Sequence, residues 1–249
     1  MIEIIKPNAQ VVEFLNKQRH ENLNILNFLK FNDCARVYVF DGDIANGIIA
    51  TDGAGEDFFL ASVNEVFIQH FWEGLTPGIK GFSGVPKPIA QLFCRDKETL
   101  WNSPCKAYML KGDFEPHDDA RYAHDSLRPD DAFWVDQHYT YRYEGSLAEL
   151  QKSIEKMPSA CIRMDGKLVS WCLTHYNEGS MGPVYTLEEY RRHGLGLVVV
   201  SRLIQKLLAL DFIPYLHIVE TNAPSMALMA NFKGFVHTHD CVHFGIDKK

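Results

Sequence analysis

Residues 189–196 read EYRRHGLG, so that Arg191, Gly194 and Gly196 fall at the spacing R-x-x-G-x-G with Arg192 and His193 between them. An apolar run, LGLVVVSRLIQKLLAL, follows from Leu195 to Leu210 and reads as a helix whose polar arc is Ser201, Arg202, Gln205 and Lys206. Cations at the start of a helix oppose its dipole, which already places partial positive charge there. A bound anion removes that conflict. Glycines in the turn let main-chain N–H groups come close to such a ligand, and the N–H groups of the first helical turn face it as donors. A phosphate group suits this chemistry; the plainer alternative is that Gly194 only starts the helix and Gly196 relieves packing.

Two further stretches carry reactive or ligating residue types. SMGPVYT (180–186) reads as a strand, yet Pro183 donates no ladder hydrogen bond and Gly182 stands beside it. A bulge or a break in pairing is expected there, which leaves backbone groups open. In HTHDCVH, residues His237, His239, Cys241 and His243 alternate and would project to one side of an unbroken strand. They are metal-ligand types, but ligands repeating along a single strand are spaced by roughly 7 Å, too wide for one tetrahedral ion. No metal is expected.

Composition narrows the class. The 249 residues, 46% hydrophobic and 23% charged, suit a soluble globular protein with one large core or two modest ones. A net charge of −7 argues against broad nucleic-acid binding. No apolar run approaches a membrane span and MIEIIKPNAQ lacks a signal-peptide core, so a cytoplasmic location with no membrane partner is expected. The six cysteines form no C-x-x-C pair and fit reduced, mostly buried thiols.

The elements that must position these residues read as follows. A helix is expected over 11–29, strands over 36–40, 46–51 and 58–63 separated by the turn signals DGD and DGAGED, then a helix from Glu65 capped by Asn64, a strand at IKGFSGV and a helix at KPIAQLFCRDKETL. Trp101–Pro104 closes this half. A strand at 106–110, a polar loop to Pro129, and helices over 130–141 and 146–157, capped by Asp130 and Ser146, open the second. Strands around the turn Asp165-Gly166, the strand at 180–186, the long helix, a strand at 213–220, a helix at about 224–232 and a strand near 236–246 complete it. The order strand, strand, strand, helix, strand, helix occurs in both halves. The expected fold is therefore α+β, two related units in tandem over 1–103 and 104–249, each a mixed, mostly antiparallel sheet flanked by helices; only the second carries the basic glycine turn.

Arg191, Gly194 and Gly196 between a strand and a helix, then Asn222 and Gly234-Phe235, resemble the GNAT acyltransferase superfamily. MPSACI, VSWCL, YTLEEYRRHGLG and PYLHIVETN resemble in particular its glycine N-acyltransferase-like family. The resemblance implies that acetyl-CoA or another acyl-CoA binds as co-substrate. Its pyrophosphate would lie on the main chain and side chains of Arg191, Arg192, His193, Gly194, Leu195 and Gly196. Its pantetheine arm would lie on Val184, Tyr185 and Thr186, with Asn222 and Ser225 assigned to the same ligand. The implied reaction is direct N-acylation of a small-molecule amine, such as glycine or another amino acid, in a ternary complex. Alternatives are a CoA-binding regulatory protein without turnover and a protein or polyamine N-acetyltransferase. Two departures stand out: Met229 occupies the place of the superfamily's acidic Tyr, and Ser180 that of the family's basic Glu. Glu178, two residues before Ser180 and on the same strand face, is the leading candidate base, or else a solvated residue of the turn YNEGS. His217 is the second candidate, or else a hydrogen-bonded core histidine. Arg142 and Arg163 are open as partners for an acceptor carboxylate.

Overall fold

The computed structural model describes residues 1–52 and 54–249; Gly53, within the turn signal DGAGED, lies outside the described residues. In chain order the elements are β1 (Ile2–Ile5), α1 (Ala9–Asn16), α2 (Leu23–Phe31), β2 (Arg36–Phe40), β3 (Ile48–Thr51), β4 (Asp57–Ala61), α3 (Glu65–Gly74), β5 (Gly78–Pro86), α4 (Lys87–Cys94) and β6 (Trp101–Leu110). They continue with α5 (Ala132–Gln137), α6 (Ser146–Lys156), β7 (Ser159–Met164), β8 (Lys167–Thr174), β9 (Met181–Thr186), α7 (Leu195–Ala209), β10 (Tyr215–Val219), α8 (Ala223–Met229) and β11 (Phe235–Lys248). The α+β class and the mostly antiparallel sheets agree with the sequence reading.

The chain folds into two compact units. One comprises Met1–Tyr108, His217–Asn222 and His237–Lys249; the other comprises Met109–Leu216 and Ala223–Val236. The break expected at 103/104 falls inside β6, and two later segments group with the first unit. Strand pairing is the reason: β11 runs antiparallel to β5, from Cys241 opposite Pro86 to Lys248 opposite Gly78.

The first unit is built on an eight-stranded sheet of order β1-β2-β3-β4-β5-β11-β6-β10. β4 and β5 are parallel and pair through Asp57–Gly81 and Phe58–Phe82. Both faces of the sheet are covered. On one, Phe58, Phe67, Phe71, Phe82, Phe93 and Phe244 form an aromatic core under α3 and α4. On the other, Val11, Leu15, Ile25 and Phe28 of α1 and α2 cover Val37, Val39, Ala50 and Phe59. The period-2 alternation along each strand supplies both sets, which explains near-continuous apolar runs such as FFLA. Asn64 caps α3 as expected, accepting from the Phe67 N–H at 2.9 Å. The helix expected over 11–29 is two helices; the buried Asn22 side chain donates to the Leu15 carbonyl at 3.0 Å and closes the gap between them. β1 was not expected, and Trp101–Pro104 is the start of β6 rather than a terminator.

The second unit holds the three-stranded antiparallel sheet β7-β8-β9. Asp165 and Gly166, at φ 51° and 79°, make the expected two-residue hairpin between β7 and β8. α7 lies on this sheet and buries Val199, Leu203 and Ile204. Ser146 is not the cap of α6: Gly145 takes that place in a left-handed conformation, and the Ser146 hydroxyl donates to the buried Asp136 carboxylate. Asp130, the expected cap of the preceding helix, lies inside a short 3₁₀ turn (Pro129–Asp131), where Asp131 accepts from the Arg128 N–H at 2.6 Å. Among the described residues, no helix is long and apolar enough to cross a membrane.

Candidate active site

The basic turn lies in the second unit and is shaped by its backbone. β9 leads into a 3₁₀ turn (Glu188–Tyr190), Arg192 takes φ 64°, and Gly194 at φ 78° precedes the first residue of α7. Only glycine adopts such an angle without cost, so Gly194 is fixed by its backbone geometry. Among the described residues, α7 has no side-chain cap and no acidic residue in its first turn. The N–H groups at Leu195 and Gly196 thus belong to an uncapped helix start, behind exposed Arg191, Arg192 and His193. That arrangement fits the anion expected from the sequence.

β9 supplies the second part. It is an edge strand of its sheet, paired with β8 through Ser170–Thr186, Trp171–Tyr185 and Cys172–Val184. The ladder is irregular between Cys172 and Thr174, opposite the Gly182-Pro183 step, where a break was expected. The Leu187 N–H donates to the Val169 carbonyl at 2.9 Å. Counting back from that bond, antiparallel alternation turns the N–H and C=O of Val184 and Thr186 to the outer edge, and those of Tyr185 toward β8. The Ser170 hydroxyl also donates to the Tyr185 carbonyl, at 3.2 Å. The backbone of Tyr185 is therefore engaged by β8, and its ring lies against Trp171 and His138. Arg191 is not a purely solvent-facing cation: its Nε donates to the Thr186 carbonyl at 3.1 Å, and its guanidinium lies 5.4 Å from the Tyr185 ring centre. It ties the turn to the strand edge.

Glu178 is drawn in from the solvated turn. The loop from His175 to Ser180 closes through the His175 N–H on the Ser180 carbonyl and the Gly179 N–H on the His175 carbonyl, each at 2.8 Å. Tyr215 donates its hydroxyl to the Glu178 carbonyl. The Glu178 carboxylate is half-buried and accepts from the buried Ser180 hydroxyl at 2.6 Å. Burial pushes the Tyr139 phenol up to about 12, with help from the negative charges of Glu149 and Glu178. Burial pulls His175 below its ordinary range, although Glu178 and Glu149 pull the other way. Sequence reading missed Tyr139, His175 and Tyr215; each comes from a separate element, with no local motif to mark it.

Other expected residues fall elsewhere. His217 belongs to the first unit, where its Nδ1 meets Nε2 of His243 at 3.1 Å. Asn222 is also in the first unit, in a turn closed by its N–H on the Val219 carbonyl at 2.8 Å, while Ser225 lies on α8 in the second. Arg163 is held by Asp125 at 2.9 Å and Asp131 at 2.5 Å, and Arg142 by Asp136 at 2.7 Å. Met229 is buried on α8. No disulfide joins cysteines among the described residues. Burial holds the Cys161 thiol up at about 12 and raises Cys172 as well, so neither is a thiolate at neutral pH.

An uncapped glycine turn following an edge strand, on a sheet of this order, can be set against known folds. The solved structures decide it. A Drosophila protein solved by a structural genomics consortium superposes with a TM-score of 0.80 at 17% identity, covering 99% of this chain and 98% of that one. A putative acetyltransferase of the GNAT family from Novosphingobium aromaticivorans gives 0.59 at 15% identity over 93% and 96%. A tandem GNAT protein from the clavulanic acid biosynthesis pathway gives 0.57 at 12% identity over 100% and 99%. The chain has the tandem GNAT fold. Residues 160–241 also match the family described as FR47-like protein, a span containing the glycine turn at 191–196, β9 and Glu178. No curated protein matches the chain by sequence.

Proposed function

We propose that the protein is an acyl-CoA-dependent N-acyltransferase acting on a small amine through its second unit. The observation that carries this reading is the uncapped, basic start of α7 following an edge strand whose Val184 and Thr186 main-chain groups face outward. Leu195 and Gly196 N–H groups with Arg192 and His193 would hold the pyrophosphate, and the outer edge of β9 the pantetheine amides. Asn222 and Ser225 remain assigned to the same co-substrate by family resemblance.

Transfer requires a base. As the amine nitrogen bonds to the thioester carbon and the carbon–sulfur bond breaks, the amine proton must leave; Glu178 is the group proposed to take it, with Ser180 positioning the carboxylate. The thiolate that leaves is a weak base and needs no positioned acid, so buried Met229 in the superfamily's Tyr position is compatible with turnover. An acyl-enzyme is not invoked, because the raised Cys161 and Cys172 thiols are poor nucleophiles. The glycine N-acyltransferase-like preference for an amino-acid acceptor belongs to this proposal too. The carboxylate of such an acceptor would need a cation other than Arg142 or Arg163, whose partners are already carboxylates.

The same buried Met229 favours the second reading, a CoA-binding protein without turnover. A matrix of acyl-CoA donors against free amino acids, other small amines, polyamines and peptides, read by released thiol, separates the two. Thiol release that depends on a free amine supports the transferase; tight acetyl-CoA binding with no release for any pair would leave the regulatory reading.

A further inference from the structure

The strand HTHDCVH does not take part in the site above, and its spacing alone spoke against a metal. The structure changes the ligand set. Cys241 and His243 lie on β11, and a third residue, His217, comes from β10, with β6 between the two strands in the sheet. The ligand atoms of His217, Cys241 and His243 all lie within 4.8 Å of one another. His217 Nδ1 and His243 Nε2 are 3.1 Å apart and their ring centres 5.1 Å. All three residues belong to the first unit.

The surroundings are shaped to let these side chains meet. β6, which lies between β10 and β11, presents the small buried residues Cys105 and Ala107 beside Cys241. The ladder between β11 and β5 shifts register between Val242 and Phe244, so that Ser83 and Gly84 form a bulge on β5 opposite the single residue His243. Within that bulge Gly84 takes φ 59°, and a Cβ there would stand 2.6 Å from His217 Cε1. Asn24, buried, holds the same stretch by donating to the Ser83 and Gly84 carbonyls at 3.2 and 3.4 Å. The imidazole of His217 is thus seated against bare backbone that only glycine provides.

We propose that His217, Cys241 and His243 bind a divalent transition-metal ion of the zinc class. Zinc–nitrogen bonds of about 2.0–2.1 Å and zinc–sulfur bonds of about 2.3 Å put tetrahedral donors roughly 3.3–3.6 Å apart, within small side-chain rotations of the observed separations. Two imidazoles and one thiolate satisfy a borderline-soft ion, and three protein ligands leave a fourth position for water or another donor. On binding, the ion displaces the proton shared between the two rings, which moves to the outer nitrogen, and the Cys241 thiol gives up its proton to solvent.

Cobalt(II) tests this directly in the full-length protein, free of any histidine tag. The expected result is one cobalt per chain, with visible d–d bands of low coordination number and a near-ultraviolet thiolate-to-cobalt band, both displaced by zinc. Cys241→Ala should abolish the thiolate band, and Cys241→Ala or His243→Gln should weaken zinc binding by at least ~100-fold, more than loss of an outer-shell partner costs. Gly84→Ala, which removes no ligand but crowds His217, should weaken it as well. Absence of stoichiometric cobalt binding in the wild type, or an unchanged spectrum in folded Cys241→Ala, overturns the proposal. Circular dichroism of each variant establishes folding, and the wild-type titration decides the matter even where a variant does not fold.

Discussion

Substituting the two turn glycines one at a time should separate stability from ligand binding. At Gly194 a Cβ would meet nothing within 4 Å, but the residue has φ 78°. Gly194→Ala therefore costs only the left-handed backbone penalty, about 1–2 kcal/mol, with no clash to add. Gly196 has ordinary helical backbone, and a Cβ there would sit 3.6 Å from Leu228 and 3.8 Å from the Thr186 hydroxyl, normal contact distances. Gly196→Ala should thus stabilise the helix by up to about 1 kcal/mol. The two variants move stability in opposite directions, yet both put a methyl group on backbone assigned to the pyrophosphate. Acetyl-CoA affinity should fall in both. Denaturant unfolding gives the stabilities and calorimetric titration the affinities. If affinity follows stability, rising in Gly196→Ala and falling in Gly194→Ala, or does not change in either folded variant, the turn is not the phosphate site.

Other expectations follow from the same geometry. Glu178→Gln should lower kcat by about 10²–10⁴-fold and leave acetyl-CoA affinity intact, checked by steady-state kinetics and calorimetry; full activity would remove Glu178 from the role of base. Arg202 is buried in α7 and donates to the Asp118 carboxylate and to the Asp119, Tyr122 and Ala123 carbonyls. Arg202→Met should cost about 3 kcal/mol and speed amide exchange in residues 118–123, since a buried cation's acceptors lose their shared partner. His175 has a folded pKa below its usual 6.5, so below that pH the unfolded chain binds the extra proton first. Stability should fall as pH drops from about 6.5 toward 5, and His175→Gln should flatten that slope in a set of denaturation curves.

How much could be read beforehand differs from element to element. The turn at 191–196 was legible because its signal is local: glycine spacing, a basic flank and an apolar run with helical period. The same holds for Asn64 at its helix and for Asp165-Gly166 at its hairpin. Ser146 misled because a hydroxyl that could cap a helix instead meets Asp136, a residue ten positions earlier that local rules do not weigh. β1 was missed because IEII is a short edge strand with Ile4 exposed, too small a pattern to register. β6 runs through Pro104, whose carbonyl accepts from the Glu220 N–H at 2.9 Å; that pairing spans most of the second half and cannot be seen in WNSPC. Glu178 was found only by its distance from a family position, and what holds it, Ser180 and Tyr215, is visible only in space. The sequence argument about a metal counted side chains along one strand, and the approach of His217 from another strand is visible only in space.

The pairing of β11 with β5 also bears on how the chain can be made. Residues 78–86 of the first unit wait for residues 241–248 as their neighbours, and the whole sequence of the second unit lies between them. A chain emerging from the ribosome at ~5–20 residues per second holds the β5 edge unpaired for many seconds after that segment has been synthesised. During that time β5 is an open template for other strands. The second unit, whose sheet and α7 come from one continuous stretch, can form meanwhile. The order of assembly is then the reverse of the order of synthesis: the half translated first is finished last.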